Sequence, residues 1–237
     1  MIIRCLLAGL AASILSSSAF GHGDVAPQPV DTEGLPKSGD EWLEENPYRA
    51  ETAGKEVWAK AIKVGASGYN QNCARCHGLE VVSGGLAPDL RYLEANFDGD
   101  EWYVERFRDG YTQNGITKMP AFGELLGQDA AWAIRTYVET RPDDGALDDF
   151  SDDLKAIRDD LVAKSEALGE GTDYVDIADE VDGYKEKLSE IAVDVATASG
   201  APVADSAVSR AVTSLDGSAE GVKNAAENLT VGMSAAQ

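Results

Sequence analysis

The chain has 237 residues, room for one ordinary domain or two small ones, and carries a formal charge of −22. With a pI near 4.3, that acidity excludes binding to nucleic acid or anionic lipid by charge alone. Its three cysteines, Cys5, Cys73 and Cys76, leave no pair for a structural disulfide if a leader containing Cys5 is removed and the other two are used together.

Residues 1–21 read as a secretory signal peptide. Arg4 is the positive start, Cys5 to Leu15 the apolar run, and Ser16-Ser17-Ser18-Ala19-Phe20-Gly21 the small-residue cleavage region. The apolar run is too short to span a bilayer comfortably, and no later stretch is apolar enough, so a soluble, exported protein is expected. Residues 22–50 form an arm punctuated by Pro27, Pro29, Gly34, Pro36, Gly39 and Pro47, with no helix or strand period. His22 would be the new terminus after cleavage at Gly21 and is expected to be disordered.

A helical pattern begins at Thr52, with Val57, Ala61, Gly65 and Tyr69 at steps of four on one face. Glycine is costly inside a helix, so Gly65 suggests close contact with another helix. The pattern runs into Cys73-Ala74-Arg75-Cys76-His77. This C-x-x-C-H is the spacing of a c-type haem attachment site: each thiol adds across a haem vinyl group, and the adjacent imidazole lies under the iron. Two rival readings are a thioredoxin-like dithiol and half of a zinc site. The dithiol needs a βαβ setting that this region lacks. A closed zinc site usually wants four Cys or His ligands, and the exported chain offers only Cys73, Cys76, His77 and His22.

A glycine-bearing loop, Gly84-Gly85-Leu86-Ala87-Pro88-Asp89-Leu90, follows. Next come a short helix with Trp102, Val104, Phe107 and Arg108, a loop from Asp109 to Phe122 containing Met119-Pro120, and a helix from Asp129 to Arg141 with Trp132 and Tyr137. This succession resembles the class I monohaem cytochromes c. Asn46-Pro47-Tyr48-Arg49, the run Tyr69 to Glu80 and the run Gly85 to Leu93 resemble one subgroup, the cytochrome c-550 type of quinoprotein (PQQ-dependent) ethanol dehydrogenase systems. The resemblance covers residues 22–142. It implies an all-α haem domain over 51–142 with one covalent haem c, His77 as proximal ligand, and the Pro88 carbonyl against the other imidazole nitrogen. It also implies Met119 as distal ligand; besides the initiator, the chain's other methionine is Met233. Arg91, Trp102 and Tyr103 are candidates for the haem surroundings as propionate partners, since an arginine fork matches a carboxylate.

The function so implied is a periplasmic one-electron carrier that accepts electrons from a quinoprotein alcohol dehydrogenase and passes them to a respiratory cytochrome or oxidase. It is not an enzyme. The alternatives are a peroxidase-like haem enzyme with a displaceable methionine, and a haem-linked sensor or assembly module. No nucleotide-binding or hydrolase motif is present, and Asp148-Asp149 and Asp152-Asp153 lack the glycine turn of a calcium loop. Asn228-Leu229-Thr230 matches a glycosylation sequon only formally.

The resemblance says nothing of residues 146–237. The chain from Asp143 onward holds 22 acidic and 7 basic side chains, against 20 and 12 in residues 22–142. Such asymmetry suggests two parts with different jobs. Three segments repeat apolar residues at steps of three and four: Leu147 to Leu168, Ile177 to Val195, and Val208 to Leu229. They predict a three-helix bundle or an oligomerising coiled coil with acidic outer faces; the other reading is a disordered acidic tail. The extension is expected to tether or oligomerise the cytochrome, or hold it at its dehydrogenase, and to be dispensable for haem chemistry.

Overall fold

A computed structural model describes residues 26–235; the expected signal peptide and His22 lie outside them. Residues 26–49 form neither helix nor strand, yet they pack. Leu35 and Tyr48 are buried in the same core as the helices that follow. The Tyr48 hydroxyl donates to the Pro36 carbonyl (2.8 Å), and Gln128 Nε2 donates to the Gly39 and Glu41 carbonyls. The chain then makes a helical turn α1 (Ala50–Ala53), the long α2 (Lys55–Asn72), the attachment turn α3 (Ala74–His77) and α4 (Phe97–Asp109). Asn96 caps α4 by accepting from the Gly99 N–H. Asp98 and Asp100 in its first turn and Arg106 and Arg108 in its last match the helix dipole.

Between α4 and α5 (Gly123–Glu139) the structure departs from the expected loop. Tyr111–Gln113 (β1) and Ile116–Met119 (β2) pair antiparallel across Asn114-Gly115, both with positive φ. Asn-Gly is the favoured two-residue hairpin turn, because both positions tolerate the left-handed conformation. The last helix of the first unit also begins earlier than expected, at Gly123, and breaks at Gly127 (φ 77°, ψ 169°) before its regular run.

The close approach expected of Gly65 is present. A Cβ there would lie 2.0 Å from the Ala133 carbonyl oxygen and 2.8 Å from the Tyr137 Cβ, so α2 and α5 touch backbone to backbone. Tyr69 and Tyr137 pack beside the crossing with tilted rings, centroids 5.5 Å apart. Beneath α5 lies a buried ionic cluster. Asp100 receives the Arg49 fork (2.7 and 2.8 Å) and Arg135 Nε (2.9 Å), while Glu139 receives Arg49 as well.

Residues 146–235 fold as expected into helices, with one difference. α6 (Ser151–Gly169) and α7 (Ala178–Asp194) follow the first two apolar seams, but the third seam is split into α8 (Ala207–Ser214) and α9 (Ala219–Ala235). The break falls at Asp216-Gly217-Ser218, where Gly217 has φ 90° and Ser218 restarts the helix by accepting from the Gly221 N–H. The seams close on one another. Leu154, Ile157, Leu161, Val181, Leu188, Ile191, Val208, Leu215, Val222 and Leu229 share a second core, with Met233 against it. Among the described residues the structure thus shows an intrachain bundle of four α-helices, not three. No described helix is long and apolar enough to cross a membrane.

Candidate haem site

The end of α2 and the one-turn α3 present Cys73, Cys76 and His77 on consecutive turns. Neither cysteine is in a disulfide. Burial, with the Cys76 thiol adding to it, pushes the Cys73 thiol up to about 12. Among the described residues, no three His, Cys, Asp or Glu side chains gather as a metal site.

His77 is buried. Its Nδ1 lies 2.8 Å from the Pro88 carbonyl oxygen, the contact the family resemblance implies. A carbonyl can only accept, so Nδ1 carries the proton and Nε2 keeps a lone pair. Burial lowers the imidazole pKa against the opposing pull of that hydrogen bond and of Asp89, which keeps the ring neutral and able to bind a metal. The Pro88 loop is itself held. Asp89 accepts from the Arg91 backbone N–H and from both Nε and Nη2 of its side chain. Burial would raise the Asp89 carboxyl; the Arg91 hydrogen bonds and charge outweigh it and hold the group below the usual range.

Arg91 and Tyr103 also have partners within the protein. The Arg91 fork meets Asp89, Asp144 (2.7 Å) and the Pro142 carbonyl, which braces the loop behind His77. The Tyr103 hydroxyl donates to the Ala131 carbonyl inside the core (3.0 Å). Trp102 is half-buried with the Arg106 guanidinium 4.0 Å above its ring. A residue read only as packing, Trp132, is fully buried and its Nε1 has no hydrogen-bond partner. That orphan indole donor, 6.5 Å ring to ring from Tyr103, suits an acidic group of a bound cofactor.

Met119 ends β2, half-buried against the first core. Gly110 sits behind it with φ 74°, and a Cβ there would lie 2.6 Å from the Met119 carbonyl oxygen. The hairpin and this glycine fix the backbone of Met119, a constraint with no signal in the motif spacing. Two cysteines and a neutral imidazole with an unprotonated Nε2, side by side at α3, have the chemistry that haem c needs.

The comparisons with known proteins agree. Residues 60–138 match the family described as cytochrome c oxidase, cbb3-type, subunit III. Cytochrome c550 of Pseudomonas aeruginosa is 52% identical over 135 residues, covering 57% of this chain and 89% of that protein. Cytochrome c6 of Euglena gracilis is 32% identical over 32% of this chain and 88% of its own length. A quinohemoprotein alcohol dehydrogenase, ADH IIB of Pseudomonas putida, is 30% identical over 40% of this chain; the match spans only 14% of the dehydrogenase. No solved structure matches. With a shared haem motif, a held imidazole and a relative matched over nearly its whole length, the chain belongs to the c-type cytochromes, electron carriers whose cofactor is covalently bound haem c.

Proposed function

We propose that Cys73 and Cys76 bind the haem as thioethers, that His77 Nε2 and Met119 Sδ are its axial ligands, and that the protein is an exported one-electron carrier for a quinoprotein alcohol dehydrogenase. The observation that carries this reading is the neutral His77 imidazole, pinned through Nδ1 to the Pro88 carbonyl beside Cys73 and Cys76. The haem supplies the reversible one-electron couple. The protein's own residues do the rest. Pro88 and the Asp89–Arg91 brace fix the ring orientation of His77; Met119 would offer the iron a soft donor that favours the reduced state, and Trp132 Nε1 would offer a buried donor to a propionate.

The donor assignment is supported by the likeness to cytochrome c550 and to segments of the Pseudomonas putida dehydrogenases ADH IIB and ADH-IIG. A carrier related to the haem-bearing part of such an enzyme is suited to take electrons from a free-standing dehydrogenase of the same chemistry and hand them to a respiratory acceptor. The acidic surface favours a basic docking patch on that partner. The test is reduction of the purified oxidised protein by a quinoprotein alcohol dehydrogenase with a primary alcohol. Fast, alcohol-dependent appearance of the reduced haem spectrum is expected. Failure of several such dehydrogenases to reduce it, while the haem stays attached through acid–acetone extraction, would reject the donor and keep the haem assignment.

A further inference from the structure

We infer that the C-terminal extension is a positioning element for the haem site, acting through Arg210, which joins Arg141 and Asp205 in holding Glu80 in the loop after His77. This rests on the reading of His77 as the proximal ligand.

The loop is an unusual piece of backbone. Gly78 has φ 87°, and a Cβ on it would fall 1.8 Å from the Val82 carbonyl oxygen. Glu80 (φ 57°) and Val81 (φ 66°) follow in the left-handed region without being glycine. For a β-branched residue such as Val81 that conformation is a marked outlier, and it persists only where the surroundings over-determine it. Val81 is fully buried, which anchors one side. The other side is the Glu80 carboxylate, which accepts from Arg141 at the end of the haem domain and from Arg210 on α8 (3.3 Å). Asp205 closes the square by taking Arg141 (2.6 Å) and Arg210 (3.0 Å). Arg210 is itself placed by the Ser206–Ser209 capping box that starts α8.

Two further routes link the extension to the same loop. Arg141 lies 5.0 Å over the Tyr137 ring, Tyr137 packs on Tyr69, and the Tyr69 hydroxyl donates to the Gly78 carbonyl (2.8 Å). On the Pro88 side, Arg91 and Tyr92 grip Asp144, whose neighbour Asp143 donates its N–H to the Ala196 carbonyl (3.0 Å). Both the residue after His77 and the loop that orients its ring are thus tied to residues beyond 142. The family match, which ends at residue 138, does not include these ties.

The experiment uses full-length holoprotein and reads two quantities: hydrogen exchange of the amides of residues 79–83, and the haem midpoint potential. Arg210→Met and Glu80→Gln should both speed exchange in that segment by about tenfold, as expected for loss of a charge-assisted bond on a strained loop. The potential should fall in Arg210→Met, which leaves more negative charge by the haem, and rise in Glu80→Gln, which removes it. Arg210→Lys should return the potential towards wild type. Lys187→Met, which breaks only the α6–α7 surface pair with Asp153, should alter neither quantity. Unchanged exchange in both Arg210→Met and Glu80→Gln overturns the inference. If Arg210→Met loses helix signal, Glu80→Gln, which lies outside the extension, decides alone. Loss of haem on acid–acetone extraction would instead reject the ligation reading, and the exchange result would still judge the clamp.

Discussion

Met119 is placed by a glycine that touches it. Gly110 combines a positive φ with a backbone approach to the Met119 carbonyl that leaves no room for a Cβ. Gly110→Ala is therefore expected to cost about 1–3 kcal/mol and to loosen the hairpin. Met119→Ala should keep the haem attached, open its sixth position to carbon monoxide and lower the potential. Gly110→Ala should show a weaker form of the same change, with partial loss of the methionine–iron absorption band. Carbon monoxide binding to the reduced variants measures both effects; a Met119→Ala protein with the wild-type spectrum would remove Met119 from the site. Cys73, Cys76, His77 and Met119 stand out as candidates in the sequence because motif spacing and a scarcity of methionines point to them. Gly110 does not, since its role depends on a neighbour brought in by the hairpin. The contacts of Arg91 with Pro142 and Asp144 were hidden for a related reason: those residues lie some fifty positions away, and only the fold brings them together.

Among the elements, the α2–α5 crossing was read correctly from one glycine, because a glycine inside an otherwise good helix needs a reason. That reason can be measured. Gly65→Ala gains up to about 1 kcal/mol in helix propensity. It also drives a Cβ to 2.0 Å from the Ala133 carbonyl oxygen, which the two helices can relieve only by separating. Overpacking of this kind costs about 1–3 kcal/mol or more, so the net effect is destabilising. A fall in the thermal midpoint by several degrees is expected, with the haem still bound; a midpoint equal to or above wild type would show that the helices do not meet at Gly65. Elements held by side chains to distant backbone were harder to read. Residues 26–49 have no period to recognise, yet Gln128, Asp129 and Asp100 accept or donate to the backbone of Gly39, Ser38 and Asn46. The hairpin and the break in the third seam did carry signals, Asn114-Gly115 and Asp216-Gly217-Ser218, that periodicity counting passes over.

At the scale of the whole molecule, heptad spacing foretold that residues 146–237 are helical but not that they lean on the haem domain. Each part has its own core. The first draws on residues 30–138 with Ala204 at its margin, and the second runs from Leu147 to Leu229. Beside Ala204, the contacts between them include polar ones: Arg210 and Asp205 on Glu80 and Arg141, the Ser199 hydroxyl on the Glu139 carbonyl, and the Ala95 N–H on the Ser199 carbonyl (2.9 Å). A chain ending at Gly145 therefore keeps every residue of the haem site and should retain covalent haem with a six-coordinate spectrum. It loses the acceptor that shares Arg141 and the second cation on Glu80, each a partly buried charged contact. Such losses sum to about 2–4 kcal/mol once water has replaced part of what is removed. For a domain of this size that lowers the thermal midpoint by roughly 10–20 °C. The sequence alone suggested that truncation leaves the haem chemistry unchanged; the structure instead predicts an intact spectrum on a less stable domain. Residues 146–237 expressed alone should show helical circular dichroism, because their seams close on one another. A truncated protein that melts with the full-length one would show that the polar contacts between the two parts support nothing.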